Sequence, residues 1–102
     1  HGHHLLRVEV EVADLSELSD AIDAGADVVL LDNMNNAMLA DAVAMRETRC
    51  PRLLLEASGN MNPRRIKEIK DIGLDFVSVG GLIHQAVWTD LSLRITTRSD
   101  AN

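Results

Sequence analysis

Three carboxylates are the residues of this sequence whose types and spacing could support chemistry. Glu11, Asp32 and Glu56 each lie within or at the end of a short apolar run that has the composition of a β-strand. Carboxylates that share one site repel each other unless a cation or a hydroxyl-rich ligand lies between them. A hard divalent ion such as Mg²⁺, together with a sugar that offers hydroxyls, is the ligand set that such a site would suit.

Two glycine-containing segments follow strand-like runs and could hold an anion. Ser58-Gly59-Asn60 comes directly after one run, and Gly80-Gly81 comes after the next. Glycine lets backbone N–H groups approach an oxyanion closely, and a following helix N-terminus adds a favourable dipole. The two segments predict one phosphate site, to which His84 could donate. Plain turns for the glycines and a half-exposed helix position for His84 remain open alternatives.

The elements that must position these residues alternate along the chain. The hydrophobic periodicity, Asp14 and Asn62 as N-caps, and Gly25 and Gly73 as stops predict strands that alternate with helices. The predicted strands cover residues 5–12, 27–32, 52–58 and 76–80, with a last short strand at 91–95. The predicted helices run from Asp14 to Gly25, over 34–48, from Asn62 to Gly73, and over 82–88.

This order of elements predicts an α/β fold. Consecutive βα units with short links are typical of parallel strands joined by right-handed crossovers. Residues 25–32 and 73–80 resemble each other, as expected of a barrel built from repeating units, although an open doubly wound sheet could also show such a repeat. The four strands of these βα units cannot close a barrel. We therefore expect a partial, or half, α/β barrel whose first strands lie upstream of this chain.

Side-chain parity predicts which residues share a face. Successive side chains of a strand point to opposite faces, so Val8, Val10 and Val12 leave Glu9 and Glu11 together on the other face. In a barrel the apolar face meets the helices, and the carboxylates then point inward. The same parity places further polar or glycine positions at the C-terminal mouth, where α/β barrels have their active sites: Asp32, Glu56, Ser58 and Gly80. Capping of the next helix or exposure to solvent is the alternative for each carboxylate.

The overall composition excludes some partners. A net charge of −6 and an isoelectric point near 5.0 give no general attraction to nucleic acid or anionic membrane. The single cysteine, Cys50, cannot form a disulfide within the chain and fits a reduced, cytoplasmic setting. No apolar run approaches the roughly 20 residues needed to span a bilayer. The segment His1-Gly2-His3-His4 could be a metal site, a tag remnant or a native loop.

At these same positions the sequence resembles the C-terminal part of a known family, the carboxylating nicotinate-nucleotide pyrophosphorylases or quinolinate phosphoribosyltransferases. The resemblance runs from about residue 5 to residue 95. Gly81 and Ile83 depart from the family pattern, which usually has Ala and Thr there. The segments that carry the resemblance are VEVEV at 8–12, LDNM at 31–34, LEASGN at 55–60, VSVGGLIH at 77–84 and DLSL at 90–93.

The resemblance implies a barrel of the type II phosphoribosyltransferase kind and a reaction. Quinolinate and phosphoribosyl pyrophosphate, with Mg²⁺, would give nicotinate mononucleotide, pyrophosphate and carbon dioxide in NAD biosynthesis. Glu11 and Asp32 would hold the ribose hydroxyls and the metal, and Glu56 would support the mouth. The residues that the resemblance places around the 5′-phosphate are Ser58, Gly59, Asn60, Gly80, Gly81 and His84.

The resemblance also implies that residues 1–102 form only the C-terminal portion of the barrel domain. The N-terminal domain and the first strands, which carry the cationic site for quinolinate, have no counterpart here. The cluster Arg64, Arg65 and Lys67 is expected to be a solvated helix face. We therefore expect the isolated chain to be inactive. Because four strands leave two unpaired edges, we also expect a homodimer or larger assembly.

Two other interpretations compete with this one. The chain could be a non-catalytic half-barrel that self-assembles and binds phosphate or sugar phosphate. It could also be half of a different phosphate-binding barrel enzyme, although the LDNM and VEVEV segments argue against that.

Overall fold

The protein forms one six-stranded sheet with three helices, in a computed structural model that describes residues 7–79, 82–89 and 92–97. The strand order follows the chain order. Strands β1 to β4 are parallel, and β5 and β6 follow as an antiparallel pair. The elements are β1 (Glu9–Val12), α1 (Leu15–Asp23), β2 (Val28–Asp32), α2 (Asn36–Arg49), β3 (Leu54–Ser58), α3 (Pro63–Ile69), β4 (Phe76–Val79), β5 (Leu82–Thr89) and β6 (Ser92–Thr97).

The open, mainly parallel sheet confirms the predicted partial α/β barrel. One contiguous core lies between the helices and one face of β1 to β4. The strand residues in it obey the predicted parity, since alternate positions are buried against the helices. These core positions on the strands are Val12, Val29, Leu31, Leu55, Ala57 and Val77, and Leu18, Leu39, Ala42 and Ile69 face them from the helices.

Helix α1 begins and ends where its sequence predicts. Asp14 Oδ1 accepts a hydrogen bond from the Glu17 backbone N at 2.8 Å, and Glu17 Oε1 accepts one from the Ala13 backbone N at 2.6 Å. The first bond satisfies an amide that the first turn would otherwise leave without a partner, and the second holds the residue before the N-cap. Gly25 then adopts a φ of 84°, the left-handed conformation that ends many helices.

The other two helices are capped by asparagines. Asn62 accepts from the Arg65 backbone N at 2.8 Å, and Pro63 occupies the first helical position of α3, as predicted. Helix α2 begins at Asn36 instead of the predicted residue 34. Asn35 is its N-cap and accepts from the Met38 backbone N at 2.8 Å, while Met34 packs into the core with 1% exposure.

A buried arginine fastens α2 to the sheet. Arg46 is 5% exposed and donates to the carbonyl oxygens of Leu53 at 2.8 Å and Gly73 at 2.7 Å. It also donates to Asp75 Oδ2 at 3.0 Å, and this oxygen accepts a second bond from the Leu55 backbone N at 2.9 Å. Arg46 therefore joins α2 to the residues that directly precede β3 and β4.

The predicted helix over residues 82–88 is wrong. The segment forms β5, which pairs antiparallel with β4, and the predicted last strand at 91–95 corresponds to β6 at Ser92–Thr97. Ile83, Val87 and Trp88 belong to the residue types enriched in strands, and a short apolar run does not distinguish a strand from a helix by its period. Within the described residues, no helix is long and apolar enough to cross a membrane.

Candidate functional site

The polar residues of the strands lie on the sheet face opposite the helices. In one row across the sheet, Glu11 is in register with Leu30, Leu30 with Glu56, and Glu56 with Phe76. Two residues nearer the strand ends, Asp32 is in register with Ser58. The register therefore gives the three carboxylates a common face and arranges them in two layers, with Leu30 between the two glutamates.

Asp32 and Ser58 form the layer at the C-terminal edge. The Ser58 hydroxyl donates to Asp32 Oδ1 at 3.3 Å, and both side chains are half-buried. This bond orients one carboxylate oxygen of Asp32, and the other oxygen makes no bond to the Ser58 hydroxyl. The pair, Asp32 with Ser58, stands at the end of the sheet where parallel α/β folds bind their ligands.

Glu11 and Glu56, which lie in the row with Leu30, differ in their environment. Glu11 is exposed on the edge strand, whereas Glu56 is 1% exposed. Their strands are separated by β2, which places their backbones roughly 10 Å apart. Among the residues described, no three His, Cys, Asp or Glu side chains lie close enough to hold a metal ion together. An accessible Glu11 can reach a ligand, and a buried Glu56 suits a supporting position.

The loops that follow β2 and β3 pack directly against each other. Asn33 has a φ of 56° and its backbone N donates to the Ser58 carbonyl at 3.0 Å, which extends the β2–β3 ladder by one residue. Gly59 has a φ of 124°, and a Cβ there would lie 3.1 Å from the Asn33 Cα. Both conformations are ones that few residue types adopt readily, so the two loops form one tightly defined unit.

Arg65 connects these same loops from the third position of α3. Its Nε donates to Asn36 Oδ1 at 2.9 Å and its Nη1 to the Asn60 carbonyl at 2.9 Å. Its Nη2 donates to the Met34 carbonyl. The expectation that Arg65 belongs to a solvated face is wrong, because its side chain is half-buried between the loops.

The neighbouring cations behave as expected. The Arg64 side chain is 90% exposed and makes only a loose ion pair with Glu68 at 3.6 Å, and Lys67 is also exposed. The sequence signal that could have indicated the position of Arg65 is the Asn62-Pro63 cap, because it fixes where the helix begins. A helix side chain leans toward the N-terminus, so the third residue reaches back over the preceding loop.

The second glycine segment does not have the predicted surroundings. Gly80 and Gly81 lie outside the described residues, but their flanking residues Val79 and Leu82 pair with each other across the antiparallel β4–β5 connection. No helix begins at Leu82, so the expected dipole contribution is missing from this segment. His84 pairs through its backbone with Val77 on β4, and the predicted helical position for it is wrong.

The fold and the position of these polar residues define a class: part of an α/β barrel with its ligand site at the carboxyl ends of parallel strands. The chain belongs to the family described as quinolinate phosphoribosyl transferase, C-terminal domain, whose model matches residues 1–94.

Individual relatives agree with this membership. The chain is 36% identical over 90 residues to a probable carboxylating nicotinate-nucleotide pyrophosphorylase of Synechocystis, covering 88% of this chain and 30% of that protein. The human carboxylating nicotinate-nucleotide pyrophosphorylase is 33% identical over 96 residues, covering 94% of this chain and 32% of that protein. The chain thus spans about a third of the length of these curated relatives.

A solved structure supports the fold. The structure of the nicotinate-nucleotide pyrophosphorylase from Francisella tularensis matches with a TM-score of 0.65 and 40% sequence identity. The match covers 87% of this chain and 31% of that chain. The fold, the predicted family and the relatives therefore agree.

Proposed function

We propose that this chain is the C-terminal barrel part of an enzyme that transfers a phosphoribosyl group to quinolinate with loss of carbon dioxide. The observation that carries the proposal is the packed unit of Asp32, Asn33, Ser58 and Gly59, in which two separate motifs meet at the ligand-binding end of the sheet. The names of the relatives, carboxylating nicotinate-nucleotide pyrophosphorylases, supply the reaction class.

Glu11 and Asp32 would bind the ribose hydroxyls and Mg²⁺. Both offer carboxylate oxygens on the same sheet face, and Glu11 is accessible. Two protein carboxylates suit Mg²⁺, which usually keeps several waters and takes its other ligands from substrate phosphates or hydroxyls. The ion would neutralise the charge of a pyrophosphate leaving group. Glu56, buried one strand further along, would support the shape of the mouth.

The 5′-phosphate would bind at Ser58, Gly59 and Asn60. The backbone N–H groups of this loop would be the main donors, and the Ser58 hydroxyl is already fixed by Asp32. Backbone donors explain how a chain with a net charge of −6 can hold an anion. By the family resemblance, Gly80, Gly81 and His84 would also belong to this phosphate site. Gly80 and Gly81 lie outside the described residues, and the backbone of His84 pairs with Val77.

Quinolinate would be bound by residues outside this chain. Within residues 7–79, the mouth is lined by carboxylates, a serine and one glycine, Gly59, and such groups do not favour a dicarboxylate substrate. Residues 1–102 would then form the C-terminal portion of a barrel domain that also needs earlier strands and an N-terminal domain. The active form would be a cytoplasmic homodimer or larger homo-oligomer, with no nucleic acid or membrane partner.

A chimaera tests this proposal. The chain would replace the matched 90-residue segment of the Synechocystis relative, and both the chimaera and the isolated chain would be assayed with quinolinate, phosphoribosyl pyrophosphate and Mg²⁺. We expect turnover by the chimaera and none by the isolated chain. A well-folded chimaera without activity would reject the proposed reaction. Turnover by the chain alone would reject the proposal that the quinolinate-binding residues lie outside this chain.

The open edge of the sheet favours a second candidate. Strand β1 stands at the end of the sheet, and the adjoining Val8 is 49% exposed. A second copy could cover this edge and give a non-catalytic assembly that binds phosphate or sugar phosphate. Inactivity of the chimaera together with phosphate binding by a stable oligomer of the chain would favour this candidate.

A further inference from the structure

We propose that Arg65 is a positioning residue that holds the β2–α2 loop (residues 33–35) against the β3–α3 loop (residues 59–62), so that Asp32 and the phosphate-binding loop face one ligand. The inference rests on the proposed function and adds a residue to it. The same arginine contacts Met34 in the first loop, Asn36 at the start of α2, and Asn60 in the second loop.

The geometry of these contacts requires a guanidinium. Nε, Nη1 and Nη2 each donate to a different acceptor, and two of the three acceptors are backbone carbonyls. A planar fork can reach separated acceptors at once, whereas the single ammonium of lysine cannot. A second bridge runs alongside, since Asn36 Nδ2 donates to Glu68 Oε1 at 3.0 Å. The start of α2 is therefore held to α3 by two residues of α3.

The loops that Arg65 joins are the ones that carry the candidate ligands. The Met34 carbonyl lies two residues after Asp32, and the Asn60 carbonyl lies two residues after Ser58. Asp32 and Ser58 are hydrogen-bonded to each other at 3.3 Å, but nothing in that single bond fixes the path of the chain beyond them. The Arg65 contacts hold both paths, because they reach the Met34 carbonyl in one loop and the Asn60 carbonyl in the other.

The alternative role for Arg65 is direct attraction of the phosphate by its charge. All three of its nitrogens already donate to protein acceptors, which favours positioning over direct contact. A lysine at position 65 distinguishes the positioning role from the electrostatic role. Lysine keeps the charge and loses the fork, so it preserves an electrostatic role and abolishes a positioning role.

Arg64 provides a matched control. It is the neighbouring residue of the same helix turn, it carries the same charge, and its side chain is 90% exposed. Four chains would be compared: the wild type, Arg65→Lys, Arg65→Met and Arg64→Met. Each would be titrated with ribose 5-phosphate in the presence of Mg²⁺ and followed by amide NMR shifts at residues 58–60. Hydrogen exchange of the amides at 33–36 and 59–62 would be measured without ligand.

We expect both Arg65 variants to bind about tenfold more weakly, a change of about 1.4 kcal/mol, and Arg64→Met to stay within about twofold of the wild type. Exchange should accelerate in both loops of the Arg65 variants but not at core amides such as Val29 and Leu55. Wild-type binding by Arg65→Lys overturns the positioning role, as does equal weakening by Arg64→Met. General loss of protection across the sheet in Arg65→Lys also overturns it. If the wild type itself does not bind, the phosphate site of the proposed function is rejected, and the role of Arg65 with it.

Discussion

Gly59 lies against Asn33 so closely that a β-carbon on the glycine would stand 3.1 Å from both the Cα and the Oδ1 of the asparagine. Backbone atoms in a tightly packed loop cannot move away without disturbing the β2–β3 ladder, which Asn33 extends through its bond to Ser58. The contact explains in physical terms why a glycine follows Ser58.

Replacing Gly59 with alanine should therefore destabilise the protein by about 2–3 kcal/mol, because steric overlap is added to the strain of a φ of 124°. Gly25→Ala is the control, since Gly25 also has a positive φ of 84° but a β-carbon on it would meet no atom within 4 Å. It should cost only about 1 kcal/mol. Urea unfolding of the two variants measures both values, and equal losses would contradict the importance of the Asn33 contact.

Removing the charge of Glu11 or Asp32 should strongly reduce catalysis without unfolding the protein. In the chimaera, Glu11→Gln and Asp32→Asn should each lower kcat/KM about a hundred- to thousandfold, equivalent to about 3–4 kcal/mol of transition-state stabilisation. Asparagine can still accept the Ser58 hydrogen bond through its amide oxygen, so the melting temperature should change little. Near-wild-type turnover in either variant would reject the role given to that residue.

Arg46 should be far more important for stability than its neighbour along the same helix. Arg46→Met leaves Asp75 and two carbonyl oxygens without their buried donor, which should cost about 3–5 kcal/mol. Arg49→Met removes a surface ion pair with Asp23, where both side chains are at least one-third exposed, and should cost less than about 1 kcal/mol. Thermal and urea unfolding would measure the difference, and similar losses in the two variants would contradict the role of Arg46.

Strand β1 lies at the edge of the sheet formed by the described residues, and this edge should make the isolated chain associate or melt easily. An edge strand presents unpaired backbone groups, and the adjoining Val8 adds exposed apolar surface. We expect a dimer or larger species by light scattering, or a low and weakly cooperative melting transition. A Val8→Lys variant should shift the chain toward the monomer. A compact wild-type monomer with a sharp transition would show that the edge needs no partner.

Much of the fold could be predicted because local signals and the fold largely agree over residues 7–79. Asp14 and Asn62 predicted two helix starts, and the alternation in Glu9–Val12 predicted the face of Glu11. The segment at 82–88 could not be assigned in the same way. The hydrophobic pattern of its seven residues fits a helix as well as a strand. The segment is a strand because it pairs with β4, and a local sequence pattern does not encode such a contact between separate elements.

The sequence predicted which strand residues of the candidate site share a sheet face, but it did not predict the side-chain contacts of Arg65. Strand parity alone placed Asp32 and Ser58 on one face, because parity is a property of each strand. The contacts of Arg65 depend on how α3 lies over the β2–α2 loop, which the spacing of charges on the helix does not encode. An exposed Arg64 and a half-buried Arg65 look alike in the sequence.

The order of the strands has a consequence for how the chain acquires its structure. Each strand pairs with the next strand along the chain, so that Val10 pairs with Val29 and Val29 with Leu55, and no pairing within the described sheet skips a strand. Closing each βαβ unit restricts only a short stretch of chain, and the entropy lost at each step is correspondingly modest. Such a sequence-local topology permits rapid, stepwise folding in which each completed unit is the template for the next, including during synthesis from the N-terminal side.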